Sequence, residues 1–143
     1  MKRIAFIALL SVLCLTAFAK GKQPIPYKSL PKEVQKEVKK SYTQQEVQLI
    51  TSEKKAFKHH EYTLIMEDGS KVAFNEKGQV TNARNAQGIK DAFIPKTIAQ
   101  YIKKTTPNAV VTEYRMDSNK QEIILNDQMT FVFDKKGKFL RLD

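Results

Sequence analysis

The sequence predicts an α+β fold, a tandem repeat of a helix packed on an antiparallel sheet of about four strands. Three observations predict it. Shifted by 64 residues, the chain matches itself: Leu30-Pro31-Lys32 falls on Ile94-Pro95-Lys96, Val34 on Ile98, Val38 on Ile102, and Lys39-Lys40 on Lys103-Lys104. Further on the shift becomes 59, and Leu64, Met66, Asp68, Val72, Phe74 and Lys77-Gly78 meet Ile123, Leu125, Asp127, Phe131, Phe133 and Lys136-Gly137. Within each copy the apolar spacing changes from four residues to two, which is the change from helix to strand. Self-similarity at a fixed spacing marks a repeated structural unit.

The first 19 residues read as a signal peptide. Lys2-Arg3 is basic, Ile4 to Leu15 is almost wholly apolar, and Ala17-Phe18-Ala19 fits a cleavage site. The run is short for a membrane span, and Leu13 stands before Cys14 where a lipoprotein signal carries a small residue. Cleavage after Ala19 sends the chain to the periplasm or beyond and leaves 124 of the 143 residues without a cysteine. Disulfides, thiol chemistry and cysteine metal sites are thereby excluded from the mature chain. Each copy has about 50 residues, a marginal size for an independent core. The copies are therefore expected to form one structural unit of two subdomains.

Residues 20–29 carry Pro24 and Pro26 and are expected to be an extended arm, a disordered terminus. The first copy runs over 30–83, a linker over 84–93, and the second copy over 94–143. Pro31 opens a helix reaching Tyr42, with Leu30, Val34, Val38 and Tyr42 on one stripe. Pro95 opens a second helix, with Ile94, Ile98, Tyr101 and Ile102 as its stripe, and Pro107 stops it. The expected strands are 45–51, 62–67, 71–75 and 79–83 in the first copy. In the second they are 110–116, 122–126, 130–134 and 138–142. Turns fall at Glu67-Asp68-Gly69, Asn126-Asp127-Gln128, Lys77-Gly78 and Lys136-Gly137. The first strand of each copy has no clear phase, since neither Val47, Leu49 and Ile50 nor Val110 and Val111 alternate cleanly.

Where alternation is clean it assigns faces. Leu64, Met66, Val72 and Phe74 point to the helices in the first copy, and Ile123, Leu125, Phe131 and Phe133 in the second. Thr63, Ile65 and Ala73 then point away, as do Glu122, Ile124, Thr130 and Val132. A solvated face would carry more charge. These seven residues, with Tyr114 and Arg115 beside them, are the candidate partner-binding surface.

Catalytic and metal chemistry find little footing. His59-His60 are neighbours that point to opposite sides of a strand, so they cannot share an ion. There is no nucleophile motif, phosphate-binding glycine loop or dinucleotide fingerprint. No catalytic residue, cofactor site or metal site is expected. The net charge of +10 falls to +8 once Lys2 and Arg3 leave with the signal, and an excess of lysine favours anionic partners. Export removes the chain from nucleic acid.

The segments IPKTIAQYIKKTTPNAVV, EIILND and MTFVFDKKGKF resemble the beta-lactamase-inhibitor-like, PepSY-like family of secreted bacterial proteins. Its pattern is a helix opened by an apolar-proline pair, a V-x-L-x-D-G hairpin and an F-D-x-x-G turn. Asn126-Asp127-Gln128 lacks the hairpin glycine, whereas Glu67-Asp68-Gly69 keeps it. The resemblance implies tandem PepSY-like units in the cell envelope, no catalytic residues, and a link to inhibition. The expected function is non-enzymatic binding of a protein or peptide on the outer sheet face. The alternatives are a binder of anionic envelope polymer or lipid through Lys32, Lys36, Lys39, Lys40, Lys103 and Lys104, and a carboxylate-dependent hydrolase.

Overall fold

A computed structural model of the protein describes residues 21–56 and 59–143. The expected signal peptide, its cleavage site at Ala19 and Cys14 lie outside the described residues. The elements run β1 (Lys22–Pro24), α1 (Lys32–Lys39), β2 (Val47–Lys54), β3 (His60–Met66), β4 (Lys71–Asn75), β5 (Val80–Arg84), α2 (Lys96–Thr105), β6 (Val111–Met116), β7 (Lys120–Leu125), β8 (Thr130–Asp134) and β9 (Phe139–Leu142).

The architecture corrects the expected fold class. The described strands form a single nine-stranded antiparallel sheet in strict chain order, β1 to β9. It is a mostly-sheet molecule with two short helices, not two helix-on-four-strand units in tandem. The join is β5 against β6, where Asn82, Ala83 and Arg84 pair with Arg115, Tyr114 and Glu113. The linker continues the ladder, since Asn85 N–H donates to the Thr112 carbonyl at 3.0 Å and Ile89 N–H to that of Val111 at 2.9 Å. Two separate sheets would each have left a free edge at this point, with unpaired backbone groups. The arm is corrected too. Lys22–Pro24 pairs with Glu53, Ser52 and Thr51, so it is an edge strand of the sheet and not a loose terminus.

Both helices lie on one face of this sheet, over one core. Val34 and Val38 of α1 and Ile98 and Ile102 of α2 are buried in the same cluster as Leu64, Phe74, Ile123 and Phe133. Each such side chain contributes about 1.5–3 kcal/mol by leaving water. Phe93, in the 3-10 turn before α2, stacks on Tyr42 at 5.9 Å and meets Phe74 edge-on at 6.1 Å. The lead-in to the second helix thus packs into the core under the first. Tyr101 of α2 plays the same part further along, against Phe133 at 5.4 Å and Phe139 at 5.1 Å.

Four β-bulges explain the strands whose phase the sequence left unclear. The register slips by one residue at Gln48 in β2, Thr81 in β5, Thr112 in β6 and Leu140 in β9. A bulge adds a residue to one strand and so reverses which side chains face the core beyond it. Hence Val47 and Ile50 pair with core-facing Met66 and Leu64, while Leu49 pairs with outward Ile65.

Candidate functional site

The register aligns the outward residues into two rows across the sheet. One row runs Pro24, Thr51, Thr63, Ala73, Asn82, Arg115, Glu122, Val132, Arg141, one residue from each strand. The second runs Leu49, Ile65, Lys71, Arg84, Glu113, Ile124, Thr130, and ends at Asp143, whose backbone exchanges two hydrogen bonds with Thr130. Thr63, Ile65, Ala73, Arg115, Glu122, Ile124, Thr130 and Val132 are therefore brought onto one continuous surface. Arg84 and Glu113, at the centre of that surface, were missed by the sequence reading, because only the β5–β6 pairing makes them central.

Tyr114 is elsewhere. The bulge at Thr112 turns it to the helix side, where it is 1% exposed and pairs with Ala83 and Ile123. Its hydroxyl donates to Gln121 Oε1 at 2.7 Å, and Gln121 Nε2 donates to the Asp134 carbonyl at 3.1 Å. Burial pushes the Tyr114 hydroxyl up to about 12, so it stays neutral. Tyr114 is a core residue that happens to sit next to an outward one.

The outer face is laced with charge pairs. Arg115 Nε donates to Glu113 Oε1 at 2.7 Å and Lys120 Nζ to Glu122 Oε1 at 2.8 Å, and Arg141 Nε donates to Asp143 Oδ1 at 2.9 Å. Partial burial disfavours the Glu113 carboxylate, but the hydrogen bonds from Arg115 and Asn82 and the positive charges of Arg115 and Arg84 together outweigh this and hold it below the usual carboxylate range. Seven basic side chains (Lys22, Lys55, Lys71, Arg84, Arg115, Lys120, Arg141) stand among six acidic ones (Glu53, Glu61, Glu113, Glu122, Asp134, Asp143) on this side. Between them lie the half-buried Ile65 and Ile124, and Ala73 and Val132, which are buried although they point away from the helices. At the centre, Arg84, Thr112, Glu113, Ile124, Asn126 and Gln128 line a notch of about 260 Å³.

The helix side holds a larger groove, about 640 Å³, above the β5–β6 join. Glu37 and Gly78 lie on one wall, Thr97 and Gly137 on the other, and Val80, Tyr114, Met116 and Gln121 line it as well. His59 and His60 close the β2–β3 hairpin, with His60 stacked on Tyr62 at 6.4 Å. Among the described residues no three His, Cys, Asp or Glu side chains are grouped to hold a metal ion, and no helix is long and apolar enough to cross a membrane.

An antiparallel sheet with both helices on one face and a charge-laced, partly apolar second face defines an α-capped sheet scaffold. The profile of the putative beta-lactamase-inhibitor-like, PepSY-like family matches residues 18–60 and 60–141, and the chain belongs to that family. Among solved structures it is similar to a putative calcium-regulated periplasmic protein from Bacteroides thetaiotaomicron, with 26% identity, a TM-score of 0.74, and coverage of 85% of this chain and 96% of that one. A periplasmic protein of unknown function from Bacteroides vulgatus is 25% identical over 86% of this chain and 99% of its own, with a TM-score of 0.74. A second Bacteroides vulgatus periplasmic protein, at 24% identity, a TM-score of 0.77, and coverage of 88% and 99%, shares the fold. No curated protein matches the chain.

Proposed function

We propose that this is a non-enzymatic periplasmic binding protein that docks a protein or peptide partner on the outer face of its sheet, acting as an inhibitor by covering that partner. The observation that carries the reading is the pair of rows. Thr63, Ile65, Ala73, Arg115, Glu122, Ile124, Thr130 and Val132 share one face, where the half-buried Ile65 and Ile124 are ringed by charge and the buried Ala73 and Val132 lie beneath their neighbours. An apolar centre with a polar rim is the anatomy of a docking patch. The notch beside Ile124 is of a size to take one partner side chain, between Arg84 and Glu113. The family description supports the inhibitor-like reading, and the periplasmic relatives support the location.

Photo-crosslinkers placed singly at Thr63, at Thr130 and at Gln100 on α2 test this in periplasmic extract. The sheet positions are expected to trap one and the same partner, and Gln100 to trap none. Ile65→Asp and Ile124→Asp should lower capture at least tenfold while leaving the melting temperature within a few degrees, since both side chains are only half-buried. Equal crosslinking from all three positions would remove the reading.

A further inference from the structure

The two sides of the molecule differ in charge in a way that composition alone does not show. On the outer sheet face, seven basic side chains stand among six acidic ones, so charge nearly balances. The helix side is different. Residues 27–40 and 91–105 carry eight lysines and three acids, a net charge of +5. Two of those acids are already engaged, Glu37 by Lys40 and Asp91 by Lys103. Among the described residues Lys32, Lys36, Lys39, Lys96 and Lys104 are exposed and have no ion-pair partner. Because α1 and α2 cover the same face of one sheet, these lysines belong to one broad surface.

A recess between the helices adds shape to the charge. It measures about 470 Å³, and Lys40, Lys96 and Lys103 ring it with Asp91, over Ala92, Ile94 and Ala99. No large apolar residue is exposed on either helix; among the described residues the exposed ones are Val110, Leu140 and Leu142, all outside them. Such a surface has no side chain to insert into hydrocarbon and attracts anions by charge alone.

We propose that the helix side docks on an anionic lipid bilayer, with a headgroup phosphate drawn toward the recess between Lys40, Lys96 and Lys103. This orientation turns the sheet's outer face away from the bilayer. A bilayer is favoured over a threaded polyanion because the lysines spread over two helices. The groove that a polymer strand would follow sets the carboxylates Glu37 and Asp117 against Lys135 and Lys136, so it offers no net positive track. The proposal is independent of what the sheet face binds.

Sedimentation of the mature chain with vesicles tests it, using phosphatidylglycerol mixed into phosphatidylcholine against phosphatidylcholine alone. Binding is expected only to the anionic vesicles, and about 0.5 M salt should release the protein, since screening at that strength shortens the reach of charge to a few ångströms. The triple variant Lys36→Glu, Lys39→Glu, Lys96→Glu should bind at least about 100-fold more weakly, as each surface lysine is worth about a fivefold factor against an anionic leaflet. The sheet-face pair Lys71→Glu, Arg84→Glu serves as control and should bind within about threefold of the parent, a difference set by net charge alone. Four results would overturn the proposal: no binding to anionic vesicles at low salt, unchanged binding by the triple variant, equal losses from both faces, or retention on a soluble sulfated polymer with none on vesicles.

Discussion

At the level of single residues, two turns that look equivalent in sequence are built differently. Gly69 ends the β3–β4 turn with φ 86°, and Gln128 takes φ 73° at the corresponding place between β7 and β8. A side chain in the left-handed region strains the backbone. Gln128→Gly should therefore raise stability by about 1 kcal/mol, measured as a shift in the urea midpoint. Both turns have an Asp carboxylate accepting the N–H two residues on, Asp127 from Met129 as Asp68 from Ser70, but only the Glu67–Ser70 turn is tied further into the fold, through Tyr42 and Asn85. Tyr42 donates its hydroxyl to Asp68 Oδ2 at 2.6 Å, the Ser70 N–H donates to Asp68 Oδ1 at 2.8 Å, and Asn85 Nδ2 donates to Ser70 Oγ at 2.9 Å. Burial disfavours the Asp68 carboxylate, but the Tyr42 and Ser70 hydrogen bonds outweigh it and hold Asp68 below the usual range. A carboxyl depressed by folding stabilises the native state fully above its unfolded pKa of about 4, and this is lost as pH falls through the folded value. Tyr42→Phe should cost about 1 kcal/mol at pH 7, the low end for a bond to a charge because exposed Asp68 regains water. It should cost less at pH 3. An equal cost at both pH values in urea titrations would separate the network from acid sensitivity.

At the level of elements, glycine turns seat the helices. A Cβ at Gly78 would fall 2.9 Å from the backbone carbonyl of Glu33 in α1, and one at Gly137 would fall 2.8 Å from Thr97 Oγ1 in α2. Gly78→Ala meets rigid backbone at a positive φ and should cost about 2–3 kcal/mol, whereas Gly137→Ala meets a side chain that can rotate and should cost about 1 kcal/mol. Thermal unfolding of the two variants tests that order. These elements were legible to differing degrees. Strands β4 and β8 fall where alternation placed them, because Val72 and Phe74, and Phe131 and Phe133, alternate without interruption. In β2 and β6 a bulge breaks the period, so the faces of Leu49 and Tyr114 could not be read from spacing. The β1 strand was hidden by Pro24 at its end and Pro26 just beyond it. An edge strand tolerates proline, since one side of it needs no partner. The outward rows were visible as residues but not as a surface, because what joins them is the β5–β6 pairing, and Thr81, Asn82 and Arg84 give no apolar signal of it.

At the level of the whole molecule, the pairing of β5 with β6 and the seating of Phe93 against Tyr42 and Phe74 couple the two halves of the chain. Neither half can open without exposing both the ladder at Asn82–Arg84 and an aromatic cluster that the other half helps to complete. Cooperative unfolding follows from such shared burial, since a partly opened state loses contacts and gains little chain entropy. The contrast with two independent units is measurable. Phe74 and Phe133 are both fully buried, one under each helix, and each truncation to alanine should cost about 3–5 kcal/mol. In a single cooperative body, either substitution moves one common transition, and circular dichroism and tyrosine fluorescence report the same midpoint. In a pair of independent units, Phe74→Ala would split the curve and leave an unshifted upper transition belonging to residues 94–143. The continuous sheet requires the first outcome. A preserved upper transition would mean that the β5–β6 ladder contributes geometry but little free energy, and that the two rows on the outer face are not held as one rigid surface.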